Sequence, residues 1–200
     1  MISIGLTGSI GMGKSTTAAL FREEGATVWD ADEAVRRLYA ADGAAVPAIA
    51  ALAPGAILDG AVDRTRLREA ILADPPLLKR VEAAVHPLVA ADRAAARAQA
   101  EAAGARVAVF DIPLLFETGG EGAFDLVVVV SAPEPMQRAR VLARPGMTAA
   151  AFEAILAKQT PDAEKRRRAD VVIDTGAGIE AARAEVRALM QRLEQEGGDA

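Results

Sequence analysis

The chain has 200 residues, 52% apolar and 26% charged, enough for one domain with a sizeable buried core and too apolar for a disordered chain. It has no cysteine and a single histidine, His86, which excludes a disulfide scaffold, a thiolate zinc site, a cysteine nucleophile and a histidine-rich metal centre. The net charge of −5 is not that of a general nucleic-acid binder, and the absence of asparagine excludes N-glycosylation and any catalytic loop built on that residue.

Residues 1–6 carry no basic leader and run straight into a motif, so no signal peptide is expected. The pattern predicts a buried strand over 2–6, a glycine-rich loop over 8–13, a helix over 14–24 closed by Gly25, and a second strand over 27–29. Such strand–loop–helix–strand units build parallel sheets. From 31 to 103 only helices are expected, over 33–41, 64–73, 77–85 and 88–103. Pro47, Pro54-Gly55, Asp59-Gly60, Asp74-Pro75-Pro76 and His86-Pro87 punctuate them. This is too much helix for one crossover and predicts an inserted helical subdomain. Strands follow over 106–111 and 125–130. The second contains Val127, Val128, Val129 and Val130 in succession, which suits a strand covered on both faces. Helices over 135–143 and 148–159, joined at Arg144-Pro145-Gly146, precede a strand over 170–173 and an amphipathic helix over 180–196. Residues 197–200 are expected to fray. The longest uncharged stretch, 44–58, is too short and too broken by proline to cross a bilayer, so a soluble, cytoplasmic protein is expected.

Gly8-Ser9-Ile10-Gly11-Met12-Gly13-Lys14-Ser15 fits G-x-x-x-x-G-K-[ST] at every position, between a predicted strand and a predicted helix. Glycines bring backbone N–H groups close to phosphate oxygens, and the helix N-terminus adds partial positive charge. Lys14 then reaches the β- and γ-phosphates and the Ser15 hydroxyl meets Mg²⁺. ATP is expected on Gly8, Gly11, Met12, Gly13, Lys14, Ser15 and Thr16, with Ser15 as the metal ligand. A dinucleotide-binding turn is the rival, but its third glycine position holds Thr16 and a lysine lies inside the loop. A GTPase is disfavoured because there is no asparagine for a guanine-reading motif.

A phosphate loop gives nucleotide binding, not the reaction. Asp30-Ala31-Asp32 follows the second predicted strand, at the sheet edge where ligands bind in open α/β folds. A carboxylate there either caps the next helix or takes the proton of an acceptor hydroxyl. Asp30 fits the cap, and the residues alone leave both roles open for Asp32. Arg138, Arg140 and Arg144 form either a solvated face or an arginine-bearing lid that closes over ATP. The run Arg166-Arg167-Arg168 reads as solvent-facing.

With these residues in place the chain resembles the dephospho-CoA kinases over nearly its whole length. The resemblance rests on the run from Leu6 to Thr16, on Asp30-Ala31-Asp32, Asp59-Gly60 and Asp63-Arg64, and on His86-Pro87 and Pro113-Leu114-Leu115-Phe116-Glu117. Gln137, Arg140, Arg144, Gln159 and Ala169-Asp170 add to it. It departs at Asp174-Thr175-Gly176, where the family usually has Asn-x-Gly. The resemblance implies an α/β P-loop fold with a five-stranded parallel sheet flanked by helices. It puts the core over 1–32, 104–135 and 169–200, a helical substrate-binding insertion over 33–103 and a helical lid over 136–168. It implies phosphorylation of the ribose 3′-hydroxyl of dephospho-CoA by ATP with Mg²⁺, the last step of coenzyme A synthesis, with no nucleic-acid, membrane or obligate protein partner. Asp32 is then the base, and Lys14 and Arg140 neutralise charge on the moving phosphoryl group. Arg144 joins the ATP site, and Asp32, Arg64, His86, Leu114, Leu115 and Glu117 are expected at the acceptor. Glu117 is also expected to fix its turn, and Asp111 is a further candidate for organising Mg²⁺. Two other readings stay open: a kinase of another nucleoside-like acceptor, and a non-catalytic ATP-binding module.

Overall fold

A computed structural model describes residues 1–196, so the fraying expected at 197–200 lies outside the described residues. The chain forms two compact units, Met1–Trp29 with Ala100–Ala200, and Asp30–Gln99. The elements in chain order begin with β1 (Ile2–Thr7), α1 (Lys14–Glu23), β2 (Thr27–Asp30), α2 (Ala31–Tyr39) and α3 (Val46–Leu52). Then come β3 (Ile57–Leu58), β4 (Ala61–Val62), α4 (Arg64–Ala73), α5 (Pro76–Ala102), β5 (Val107–Asp111) and β6 (Leu126–Ser131). The chain closes with α6 (Glu134–Leu142), α7 (Ala149–Leu156), α8 (Asp162–Arg168), β7 (Val171–Asp174) and α9 (Ile179–Glu196).

The five-stranded sheet has the order β2-β5-β1-β6-β7. Its central strand, β1, runs parallel to both β5 and β6, and β6 runs parallel to β7. Because side chains alternate along a strand, the valines of β6 divide between the two faces. Val128 and Val130 join Ile4, Leu6, Phe21 of α1 and Leu189 of α9. Val127 and Val129 pack with Leu115 and Phe116. Both faces are covered, as the continuous apolar run predicts.

The Asp30–Gln99 unit has its own core, in which Leu38, Ile49, Leu67, Leu77 and Val81 are buried. It departs from the expected helices in three ways, the first being that α3 forms over Val46–Leu52, with Pro47 in its first turn, where no helix was expected. The expected break at His86-Pro87 is absent, and α5 runs unbroken through Pro87. An internal proline deletes one i→i−4 hydrogen bond and costs ~3 kcal/mol. Val81 and Val85 before it and Leu88 and Val89 after it lie in the same apolar cluster, so packing carries the helix across. Asp59-Gly60 is the turn of a small antiparallel hairpin, with Ile57 opposite Val62 and Leu58 opposite Ala61. Asp59 and Gly60 both take positive φ, at 49° and 77°. That geometry suits a tight hairpin turn, and two-residue strands leave no alternation to read. Among the described residues no helix is long and apolar enough to cross a membrane.

Candidate active site

The loop after β1 takes the shape its glycines permit. Gly11 and Gly13 sit at φ 79° and 93°. A Cβ on Gly11 would come 2.4 Å from a methyl of Val141, so this position excludes any side chain on steric as well as conformational grounds. Gly13 stands at the N-cap of α1 with no side-chain cap, which leaves the first N–H groups of the helix open to an anion. Ser15 and Thr16 are exposed on that first turn. Met12 is buried, and its side chain packs inward while its sulfur accepts from the Ala132 N–H at 3.1 Å.

Lys14 reaches the end of β5 and forms an ion pair with Asp111, whose side chain is 1% exposed. Asp111 is therefore at the loop, where it pairs with the lysine. Arg140 of α6 is anchored beside the loop. Its Nη1 donates to Thr175 Oγ1 and its Nη2 to the Thr175 carbonyl, both at 2.9 Å. The Thr175 hydroxyl donates in turn to the Met12 carbonyl at 2.7 Å. Thr175 thus ties the arginine helix to the phosphate loop. Gly11, Gly13, Thr16, Arg140, Arg144 and Thr175 line one cavity of about 320 Å³. A larger cavity, about 650 Å³, touches the loop at Ser9 and Met12 and includes Gln137, Gln159 and Asp162.

The remaining expected residues separate into groups. Asp30 caps α2, accepting from the Glu33 N–H at 2.9 Å, while Asp32 is exposed in the first turn of the helix and does not cap it. Arg64 opens α4 and lines a cleft of about 330 Å³ with Tyr39, Leu67 and Leu72. Burial raises the pKa of the Tyr39 hydroxyl, against the opposing charge of Arg64. His86 is exposed on α5. Of the two leucines expected on the acceptor, Leu114 is 44% exposed and Leu115 only 1%. Leu115 belongs to the core under the sheet, because the turn aims consecutive side chains opposite ways. The arginine run 166–168 is exposed, as expected, and Arg168 stacks over Phe116 at 4.5 Å.

Glu117 fixes its turn by long-range contacts. Its Oε1 accepts from the Thr160 N–H at 2.8 Å and lies 2.9 Å from Nζ of Lys165, a lysine with no exposed side-chain surface. Burial pushes the carboxyl up, but the bonds from Lys165 and Thr160 and the lysine charge outweigh it, and the pKa falls below the usual glutamate value. A lowered folded-state pKa contributes stability above the unfolded pKa and loses it as pH falls through the folded one. Glu117→Gln is therefore expected to melt a few degrees below the parent at pH 7, taking ~2–4 °C per kcal/mol for a chain of this size. The gap should narrow as pH falls below the usual glutamate range toward the lowered folded-state pKa, where the parent's carboxylate takes up its proton. A gap independent of pH, in melting curves at pH 7 and pH 3.5, would contradict the charge argument.

Thr175, Gln137, Gln159 and Lys165 acquire their contacts only in the folded chain. The two glutamines stand among the residues of the resemblance without a role, and Lys165 lies just before the Arg166-Arg167-Arg168 run that reads as solvent-facing, in a helix, α8, that the sequence does not predict. The dephospho-CoA kinase family model matches residues 2–181. The chain belongs to the dephospho-CoA kinase family. It is 59% identical over 198 residues to the dephospho-CoA kinase of Mesorhizobium japonicum, covering 99% of this chain and 100% of that one. The crystal structure of TT1252 from Thermus thermophilus superposes with a TM-score of 0.80 at 36% identity, over 96% of this chain and 97% of that one. The dephospho-CoA kinase from Campylobacter jejuni has a TM-score of 0.63 at 20% identity over 96% of each chain, a likeness of fold. The fold class thus stands as expected for this kinase family, with a parallel five-stranded sheet flanked by helices.

Proposed function

We propose that the protein transfers the γ-phosphoryl group of ATP to the ribose 3′-hydroxyl of dephospho-CoA, giving coenzyme A and ADP. The observation that carries this reading is the convergence of Lys14, Arg140 and the open N-terminus of α1 on one loop, in a chain whose family membership spans nearly its full length. The phosphates lie on the N–H groups of residues 11–16, and the nucleoside extends into the cavity bounded by Arg140, Arg144 and Thr175. Asp32 accepts the 3′-hydroxyl proton as the new O–P bond forms, and the bond from the γ-phosphorus to the ADP oxygen breaks. Lys14 and Arg140 neutralise charge on the transferring group, and no covalent enzyme intermediate is needed. The acceptor is held by the Asp30–Gln99 unit, where Arg64 offers a cation in its cleft. His86 and Leu114 offer exposed side chains to the acceptor, and the segment 136–168 acts as the lid.

Among the described residues no cluster of three or more histidine, cysteine or acidic side chains could hold a metal ion. The Ser15 hydroxyl is exposed on the first turn of α1, a hard oxygen donor of the kind Mg²⁺ takes when phosphates and water supply its other ligands. The residues fit that ion: Ser15 would hold it, and when bound it would neutralise phosphate charge. The reading needs no nucleic-acid, membrane or protein partner and expects a cytoplasmic enzyme.

Arg140→Ala is expected to lower kcat/KM for ATP on the order of 10- to 100-fold, the range for losing hydrogen bonds to a charged group. The KM for dephospho-CoA should change little, because Arg140 lines the cavity that includes Gly11, Gly13 and Thr16. An effect confined to the dephospho-CoA KM would move Arg140 to the acceptor. The reading as a whole is tested by phosphorus NMR of the product, which should show a new 3′-phosphomonoester on the ribose. Phosphate at another position, or none transferred, would overturn it.

A further inference from the structure

Ile10, in the phosphate loop, is gripped by two glutamines remote in sequence. Gln159, which follows α7, accepts from the Ile10 N–H at 3.1 Å. Gln137, buried on α6, donates from Nε2 to the Ile10 carbonyl at 2.8 Å. The backbone fixes the polarity of both contacts, since an N–H only donates and a carbonyl only accepts. The bonded N–H and carbonyl belong to the two peptide planes that flank Ile10. In a trans peptide the carbonyl and the following N–H point opposite ways. Holding the Ile10 carbonyl on Gln137 therefore aims the Gly11 N–H away from Gln137. Gly11 sits at φ 79°, and a peptide next to glycine can turn over at low conformational cost. A further set of contacts secures Gln159, because its neighbour Thr160 is tied to Glu117, and Glu117 to the buried Lys165.

We propose that Gln137 and Gln159 are positioning residues that lock the peptide planes around Ile10, so that the Gly11 N–H is preset toward the phosphates. This rests on the ATP-dependent reading above. It extends to Glu117 and Lys165, which act through Thr160 and Gln159. The device exploits preorganisation: a donor aimed before the nucleotide arrives needs no reorganisation at the moment of reaction.

The test compares Gln137→Leu, Gln159→Leu, Gln137→Glu and Gln159→Glu by two readouts, kcat/KM for ATP and amide hydrogen exchange at Ile10 without nucleotide. Each leucine variant should lower kcat/KM for ATP about 3- to 10-fold, the factor for one net hydrogen bond, with the KM for dephospho-CoA unmoved. Glutamate at 159 still accepts from the Ile10 N–H and should keep its exchange slow, whereas leucine at 159 should speed it. Glutamate at 137 cannot donate and should behave like leucine there. Glutamate is isosteric with glutamine, so each glutamate variant, compared with the leucine variant at its own site, reports hydrogen-bond polarity. Equal behaviour of glutamate and leucine at 159, or parent-like exchange in Gln159→Leu, would overturn the proposal. Gln159 is partly exposed, so its variants test the idea even if those at the buried Gln137 fail to fold. Exchange at Ile10 needs neither ATP nor turnover, so it separates failure of the clamp from failure of the proposed reaction.

Discussion

Replacing Asp32 by Asn is expected to lower kcat by a factor on the order of 10²–10⁴, the usual contribution of a positioned acid–base group. ATP affinity should stay at the parent value. Two roles compete for a carboxylate at the start of α2, and the fold distributes them. Asp30 makes the capping bond to the Glu33 N–H, so the helix does not depend on Asp32 for its cap. Asp32 lies in the first turn, exposed, where its charge favours the helix by about 0.3–1 kcal/mol. Asparagine keeps the shape and loses that charge, so melting should fall by only a few degrees. A base role predicts a collapse in kcat out of proportion to that loss. A purely helical role predicts the small melting shift and unchanged kcat, and that result would eliminate Asp32 as the base.

Lys14→Ala is expected to reduce kcat on the order of 10²–10³, the range for removing one preorganised charge-stabilising donor. ATP binding should weaken as well. The substitution also has a structural consequence, because Lys14 pairs with the buried Asp111. Breaking a buried pair by removing one partner costs about 3–5 kcal/mol, and the partial exposure of Lys14 places this case toward the low end. Lost activity alone would therefore be ambiguous. The double variant Lys14→Ala with Asp111→Asn removes the carboxylate charge together with its lysine partner and should recover most of the lost melting temperature without recovering turnover. Recovery of turnover along with stability would mean that Lys14 serves the fold and not the phosphates.

The site was legible where its chemistry is local. The strand, glycine turn and helix start of the phosphate loop lie within one short segment, and glycine at Gly11 is demanded by both φ and the Val141 methyl. The sheet strands were legible for a similar reason, since runs such as Val127 to Val130 have little use outside a covered strand. What escaped reading depends on distant partners. Gln137 and Gln159 meet Ile10 across 127 and 149 residues, so the sequence shows them as part of the resemblance but gives no sign of that contact. Leu114 and Leu115 look alike in the sequence and face core and solvent oppositely. Pro87 and the hairpin at Asp59-Gly60 misled in a different way. A strong local breaker was overridden by packing in one case, and strands of two residues were too short to register in the other.

The central claim is most directly tested by ADP formation from ATP and Mg²⁺, followed with and without dephospho-CoA. The account predicts slow ADP release alone and strong stimulation by dephospho-CoA, one ADP appearing for each coenzyme A formed, with free nucleosides as poor acceptors. ADP release that dephospho-CoA does not stimulate, or faster turnover on a simple nucleoside, would contradict it.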